Sequence, residues 1–212
     1  MTQKLINNQN INQLGGGAEF QAIVQSMMSN VNTGELVEVV AVDASGLSPV
    51  GFVSVRPLVF KIDGDNSNVQ RGVVHNVPYF RLQGGANAII IDPVVGDKGF
   101  CGVCSRDTSL VKRLKSYAAP NSRRSSDISD AVYFGGMLNG TPSQYVMFKK
   151  DEIVIKATSK ITLDAPSVEM TGKLTVSGII ESLSDVITKT ISLFSHKHGN
   201  VQSGNSDTGI PK

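Results

Sequence analysis

Residues 151–178 read Asp151-Glu-Ile-Val-Ile-Lys-Ala-Thr158, Ser159-Lys-Ile-Thr-Leu-Asp-Ala-Pro166, Ser167-Val-Glu-Met-Thr-Gly172 and Lys173-Leu-Thr-Val-Ser-Gly178. Each unit places an apolar pair at i and i+2: Ile153/Ile155, Ile161/Leu163, Val168/Met170 and Leu174/Val176. A period of two, rich in β-branched residues, predicts strands and excludes helix, because alternate side chains of a strand share a face. Lys156, Thr158, Thr162, Asp164, Glu169 and Thr175 sit around the pairs, so each strand has one apolar and one polar face. A repeat of six to eight residues cannot bury that apolar face alone. A flat sheet of such strands would leave the face open to aggregation. Three chains wound around one axis resolve the conflict. Their Ile, Leu and Val residues meet in layers on the axis, and Thr, Lys, Asp and Glu face water. Pro166 and Gly172 fall at the turns between repeats, as this arrangement needs. The segment is read as an intertwined trimeric β-helix or β-prism shaft.

The regular repeat is lost between Ile179 and Phe194, and Ser195-His-Lys-His-Gly199 follows. His196 and His198 are two of the three histidines in the chain. In an extended segment both imidazoles face one side. Two ligands make a poor metal site for one chain. Three parallel copies around a three-fold axis bring six imidazoles to one point, an all-nitrogen site of a kind that suits iron, nickel, copper or zinc. Ile191, Leu193 and Phe194 lead into the motif, and glycines at 199, 204 and 209 follow it. Apolar residues, then metal, then tight turns is the order that a tapering tip requires.

The N-terminal half has a different pattern. Phe20, Ile23, Val24, Met27 and Met28 recur at helical spacing and predict a short amphipathic helix over residues 17–30. Strands are predicted at Leu36–Val42, Phe52–Phe60, Val73–Phe80, Ala88–Ile91 and Lys98–Cys104, with a turn cluster at Gly64–Asn68. Five strands without an interior helix suffice for a small closed barrel such as an OB-fold. The fold class is therefore all-β: an N-terminal OB-fold barrel, the trimeric shaft and a small C-terminal apex. Residues 110–145 hold Lys112, Arg113, Lys115, Arg123 and Arg124 and are read as a solvated linker, with a phosphate-binding patch as the weaker alternative.

Three smaller signals point to structure. Cys101 and Cys104 form a CxxC, which elsewhere marks a redox pair or half a zinc site. Here the motif lies in a strand, where i and i+3 side chains point to opposite faces, so unpaired buried thiols are expected. His75 is read as a hydrogen-bonded structural histidine. Asp63-x-Asp65-x-Ser67 opens like a calcium loop, but Asn68 stands where that loop needs Gly, and Val74 where it needs Glu.

Composition removes other classes. The formal net charge is +2, which gives no strong field toward nucleic acid or membrane. Absent Trp and 21 Gly suit a turn-rich β protein. The polar N-terminus carries no apolar h-region, so no secretory signal is expected. No paired carboxylates or Ser/His/Asp arrangement stand out, and no enzymatic activity is expected.

With these features together, the chain resembles the central spike, or membrane-piercing, proteins of contractile phage tails. Asp92-Pro-Val-Val-Gly-Asp-Lys-Gly-Phe-Cys-Gly-Val-Cys-Ser-Arg-Asp-Thr-Ser109 is similar to the turn and strand of the spike OB-fold domain. The short repeats followed by Ser195-His-Lys-His-Gly199 and a Gly/Asn/Ser-rich tail ending near Gly209-Ile-Pro211 carry the resemblance more specifically. The resemblance implies a homotrimer at the tip of the tail baseplate of the virion, with a hub protein above it and the host outer membrane as its target. It implies one iron ion per trimer, bound by His196 and His198 of three chains. Some larger relatives insert a lysozyme domain, for which this chain has no room. The expected layout is an N-terminal arm and helix (1–30), an OB-fold collar (31–110), a linker leading into the shaft (111–150), the shaft (151–194) and a metal-binding tip (195–212). The alternative function is an oligomeric OB-fold protein that binds nucleic acid. Few basic residues lie in the barrel region, so no specific nucleic acid is expected.

Overall fold

Alternation between inward and outward side chains builds the N-terminal unit, and most of its inward residues are small. A computed structural model describes residues 16–29, 31–43, 45–47, 49, 51–197 and 204. The chain divides into two units, residues 1–143 and 144–212. The first opens with helix α1 (Gly16–Ser29), where helical spacing predicts one. Phe20, Met27 and Met28 on it are exposed. The strands follow in order: β1 (Gly34–Asp43), β2 (Phe52–Pro57), β3 (Lys61–Ile62), β4 (Asn68–Val69), β5 (Val74–Pro78), β6 (Leu82–Gly84), β7 (Asn87–Ile89) and β8 (Lys98–Val103). Helix α2 (Ser109–Leu114), a 3-10 turn (Ile128–Asp130) and β9 (Ala131–Gly136) complete the unit.

Five of these strands form one antiparallel sheet in the order β5-β2-β1-β8-β9. Register shifts at Val39/Ala41, Val53/Val55 and Gly99/Cys101 are bulges, which bend strands and increase their twist. The sheet curls into a half-barrel. Its two outer strands approach each other at a parallel bridge between Tyr79 and Tyr133, where the Phe80 amide donates to the Tyr133 carbonyl at 2.6 Å. Val37, Val39, Val53, Val55, Val77, Cys101 and Ala131 fill the inside with Tyr79 and Tyr133. A tightly curled sheet has room for Val, Ala and Cys and for few large rings. The Tyr133 ring finds its space over Gly99, where a Cβ would collide with that ring and with the Gly135 carbonyl.

Two segments differ from the sequence reading. The apolar run at 88–91 does not enter the sheet. Ala88 and Ile89 lie in β7, which pairs with β6 as a hairpin, Ile90 and Ile91 lie past its end, and Ile89 and Ile91 are exposed. The fifth sheet strand is β9, inside the segment read as a linker. It pairs with β8 through Cys101↔Tyr133 and Val103↔Ala131, a partnership that no local pattern reveals.

The second unit contains β10 (Tyr145–Phe148), β11 (Ile153–Lys156), β12 (Ile187–Thr188) and β13 (Ile191–Ser192). Strands β10 and β11 pair as a hairpin, from Tyr145↔Lys156 to Phe148↔Ile153. Residues 157–186, all described, form no strand within the chain. Their apolar pairs face solvent: Ile161 is 52% exposed, Leu163 73% and Leu174 59%. The all-β class holds, with helix confined to α1, α2 and the 3-10 turn among the described residues.

The fit of Tyr133 over Gly99 makes a prediction. Replacing Gly99 with Ala should destabilise the half-barrel by about 1–3 kcal/mol, as overpacking of a tight core does. Thermal unfolding followed by tyrosine fluorescence checks it.

Candidate metal centre

Strands β12 and β13 pair antiparallel, Ile187↔Ser192 and Thr188↔Ile191, around a turn with Lys189 in the left-handed region at φ 54°. The chain then coils tightly. The His196 amide donates to the Ser192 carbonyl at 3.1 Å. His196 Nδ1 lies 3.1 Å from the Leu193 carbonyl oxygen. A carbonyl can only accept, so in the neutral ring the proton sits on Nδ1 and the lone pair on Nε2. Metal-binding histidines commonly have this arrangement, in which a backbone carbonyl fixes the ring and its tautomer. The described ligand candidate therefore fits a metal through Nε2.

His198, the other expected ligand, lies outside the described residues. Among the described residues no cluster of three or more His, Cys, Asp or Glu could hold a metal ion within one chain. His196 and its neighbour Lys197 are exposed, as are Leu193 and Phe194.

The remaining sequence signals resolve into local structure. Cys101 is in the core and Cys104 is half-buried just past β8; both are free thiols. Burial, with a smaller contribution from Glu35, pushes the Cys101 thiol up to about 12, so it is neutral and inert at ordinary pH. His75 Nδ1 lies 2.9 Å from the Ser54 hydroxyl across the β2–β5 pair. Asp63 Oδ1 accepts the amides of Asp65 at 3.0 Å and Ser67 at 2.8 Å, which makes this carboxylate a turn former.

The basic segment hides a group that the sequence reading missed. Arg124 Nε donates to Asp130 Oδ2 at 2.7 Å, and its NH2 group reaches Asp130 Oδ1 at 2.9 Å and Asp107 Oδ1 at 3.2 Å. Thr108 adds its amide at 2.8 Å and its hydroxyl at 2.9 Å to Asp130 Oδ1. The Ser122 hydroxyl donates to Asp107 Oδ2 at 2.6 Å, and Lys112 Nζ donates to the Ser129 carbonyl at 2.7 Å. Asp130 is fully buried. Burial by itself would raise its pKa; hydrogen bonds from Arg124 and Thr108 outweigh this and hold it below the ordinary carboxylate value. This cluster ties the loop after β8 to the start of β9 and commits Arg124 to structure. Acidic residues at 107 and 130 flanking an arginine at 124 were the only signal in the sequence.

Residues 150–209 match a family model described as the phage spike trimer. The match spans β11, the repeats, the β12–β13 hairpin and His196. It supports a phage spike protein with a structural role in the tail of the virion. No curated protein matches the chain.

The buried cluster sets an acid limit on the first unit. Because the folded pKa of Asp130 is depressed, its contribution to stability is complete above the unfolded value near 3.8 and is lost as pH falls through the folded value. Arg124, Asp107, Asp127 and Lys112 are the charged groups around it. Replacing Arg124 with Ala at neutral pH should cost about 3 kcal/mol, since it leaves a buried carboxylate without its partner. Melting curves from pH 2 to pH 7 for wild type and Asp130→Asn check the account: the acid-dependent fall should be smaller in the variant.

Proposed function

We propose that the chain forms a homotrimeric central spike of a contractile phage tail, which pierces the host outer membrane when the sheath contracts. The observation that carries this reading is the solvent-facing row of apolar pairs in a segment without strand partners of its own. That same segment is the one that matches the phage spike trimer. Winding three copies together supplies the missing strands and covers the row. Shared between three chains, backbone hydrogen bonds and apolar layers give a stiff shaft that resists buckling. The five-stranded order β5-β2-β1-β8-β9, with the outer strands meeting in parallel, supports an OB-fold collar that joins a hub protein of the baseplate.

At the apex, His196 and His198 of three chains hold one iron ion. Zinc in structural sites takes four ligands, whereas this motif offers six. When bound, the ion supplies a structural cross-link between three chain ends. The chain's own part is to present Nε2 of His196, fixed by the Leu193 carbonyl. Bound only by the assembled state, the ion stabilises that state by mass action. Chain ends that would otherwise fray become one point.

One observation favours the nucleic-acid reading. Phe80, Phe134 and Phe100 form a tilted aromatic row, with ring centroids 5.9 and 6.4 Å apart, and the first two are exposed. Such rows stack bases in single-strand-binding proteins. The spike reading expects no oligonucleotide binding at submicromolar concentration in physiological salt.

Two experiments test the spike. Ile161→Asp places three carboxylates on one axial layer, where like charges in an apolar core cannot all ionise. The variant should fail to assemble by light scattering, and a normal trimer would contradict the shaft. Elemental analysis of wild type should find one iron per trimer, and the His196→Ala/His198→Ala double variant should hold none. Equal metal in both would exclude these histidines.

A further inference from the structure

The hairpin ahead of His196 is held by hydrogen bonds accepted by Asp185 and Ser192. Asp185 Oδ1 accepts the Phe194 amide at 3.0 Å, and the Leu193 amide donates to the Val186 carbonyl at 2.8 Å. Ser192 Oγ accepts both the amide and the hydroxyl of Ser195, each at 2.9 Å. The Ser192 carbonyl then takes the His196 amide. Asp185 is thus linked, through the Leu193–Phe194 peptide, to the carbonyl that orients the His196 ring, while Ser192 holds the amides of Ser195 and His196.

Apolar burial does not explain this order. Ile187, Ile191, Leu193 and Phe194 are all exposed within the chain. A hairpin of two residues per strand is far below the size that stands by itself. The specific hydrogen bonds therefore decide the turn, with Asp185 accepting from Phe194 and Ser192 accepting from Ser195 and His196. Such outer partners fix ligand orientation at metal sites, and their loss commonly costs 10–100-fold in affinity.

We propose that Asp185 is a positioning residue for the apical metal, which holds the Leu193–Ser195 turn so that the Leu193 carbonyl fixes the His196 ring with Nε2 as donor. This rests on the metal reading above. Ser192 holds the same turn through the amides of Ser195 and His196.

The test uses the full-length purified trimer. Iron release to an excess of a bipyridyl chelator is timed for wild type, Asp185→Ala, Asp185→Asn and Ser192→Ala, with trimer mass measured in parallel. Asp185→Ala should assemble as a trimer and release iron about 10–100-fold faster. Asp185→Asn keeps an oxygen that can accept the Phe194 amide and should stay close to wild type. Ser192→Ala should fall between them. Hydrogen exchange at the Phe194 amide should speed up in Asp185→Ala and not in Asp185→Asn. Wild-type release rates in both Asp185→Ala and Ser192→Ala would overturn the proposal while leaving the metal reading intact. Loss of iron in Asp185→Asn equal to that in Asp185→Ala would overturn it too, by assigning the effect to charge. If Asp185→Ala does not assemble, Ser192→Ala decides. A wild-type trimer without iron would sink the metal reading itself and this proposal with it.

Discussion

A strand that is apolar on one face and unpaired along its backbone cannot remain so in water. This constraint governs the C-terminal half of the chain. From Ile161 to Val176 the apolar pairs lie open and no strand partners them within the chain. Each unpaired backbone group and each exposed Ile or Leu asks for a neighbour, and the repeat offers an identical face to every copy of itself. Self-association around an axis is the arrangement in which identical residues satisfy one another in layers, and it closes the sheet edges that would otherwise recruit further chains. The match of residues 150–209 to the phage spike trimer falls on this segment.

The two units meet different demands by different means. The half-barrel hides a small core of Val, Ala, Cys and two Tyr by curling around it, and secures the loop after β8 with one buried arginine between two aspartates. Among the described residues the C-terminal hairpin has no core: Ile187, Ile191, Leu193 and Phe194 are exposed. It relies on hydrogen bonds accepted by Asp185 and Ser192. Burial stabilises the first unit; at the apex that task falls to directed polar contacts.

Legibility in the sequence followed the range of the interaction. Helix α1 and strand β11, the first of the repeats, were readable because their periods lie within one or two turns of chain. The strand at Leu36–Val42 was readable for the same reason, and the structure turns its Val37 and Val39 inward. Strand β9 was not, since its identity depends on β8 some thirty positions earlier, and the basic residues around it gave a stronger but misleading signal. The run at 88–91 erred in the opposite direction: its isoleucines suggest a core strand, yet they cover a surface hairpin. Arg124 read as a free cation because its partners, Asp107 and Asp130, come close only after the loop folds. The histidine motif was visible as a pair, but the contact that sets the His196 tautomer depends on a turn fixed by an aspartate nine residues before Phe194.

The central claim is that residues 157–178 find their strand partners in other copies of the chain. Hydrogen exchange along this segment in the native protein tests it most directly. The account predicts protection at least equal to that of β1 and β8, lost in one step when the assembly dissociates. Rapid exchange there while the half-barrel remains protected, or protection that survives in an isolated chain, would contradict it.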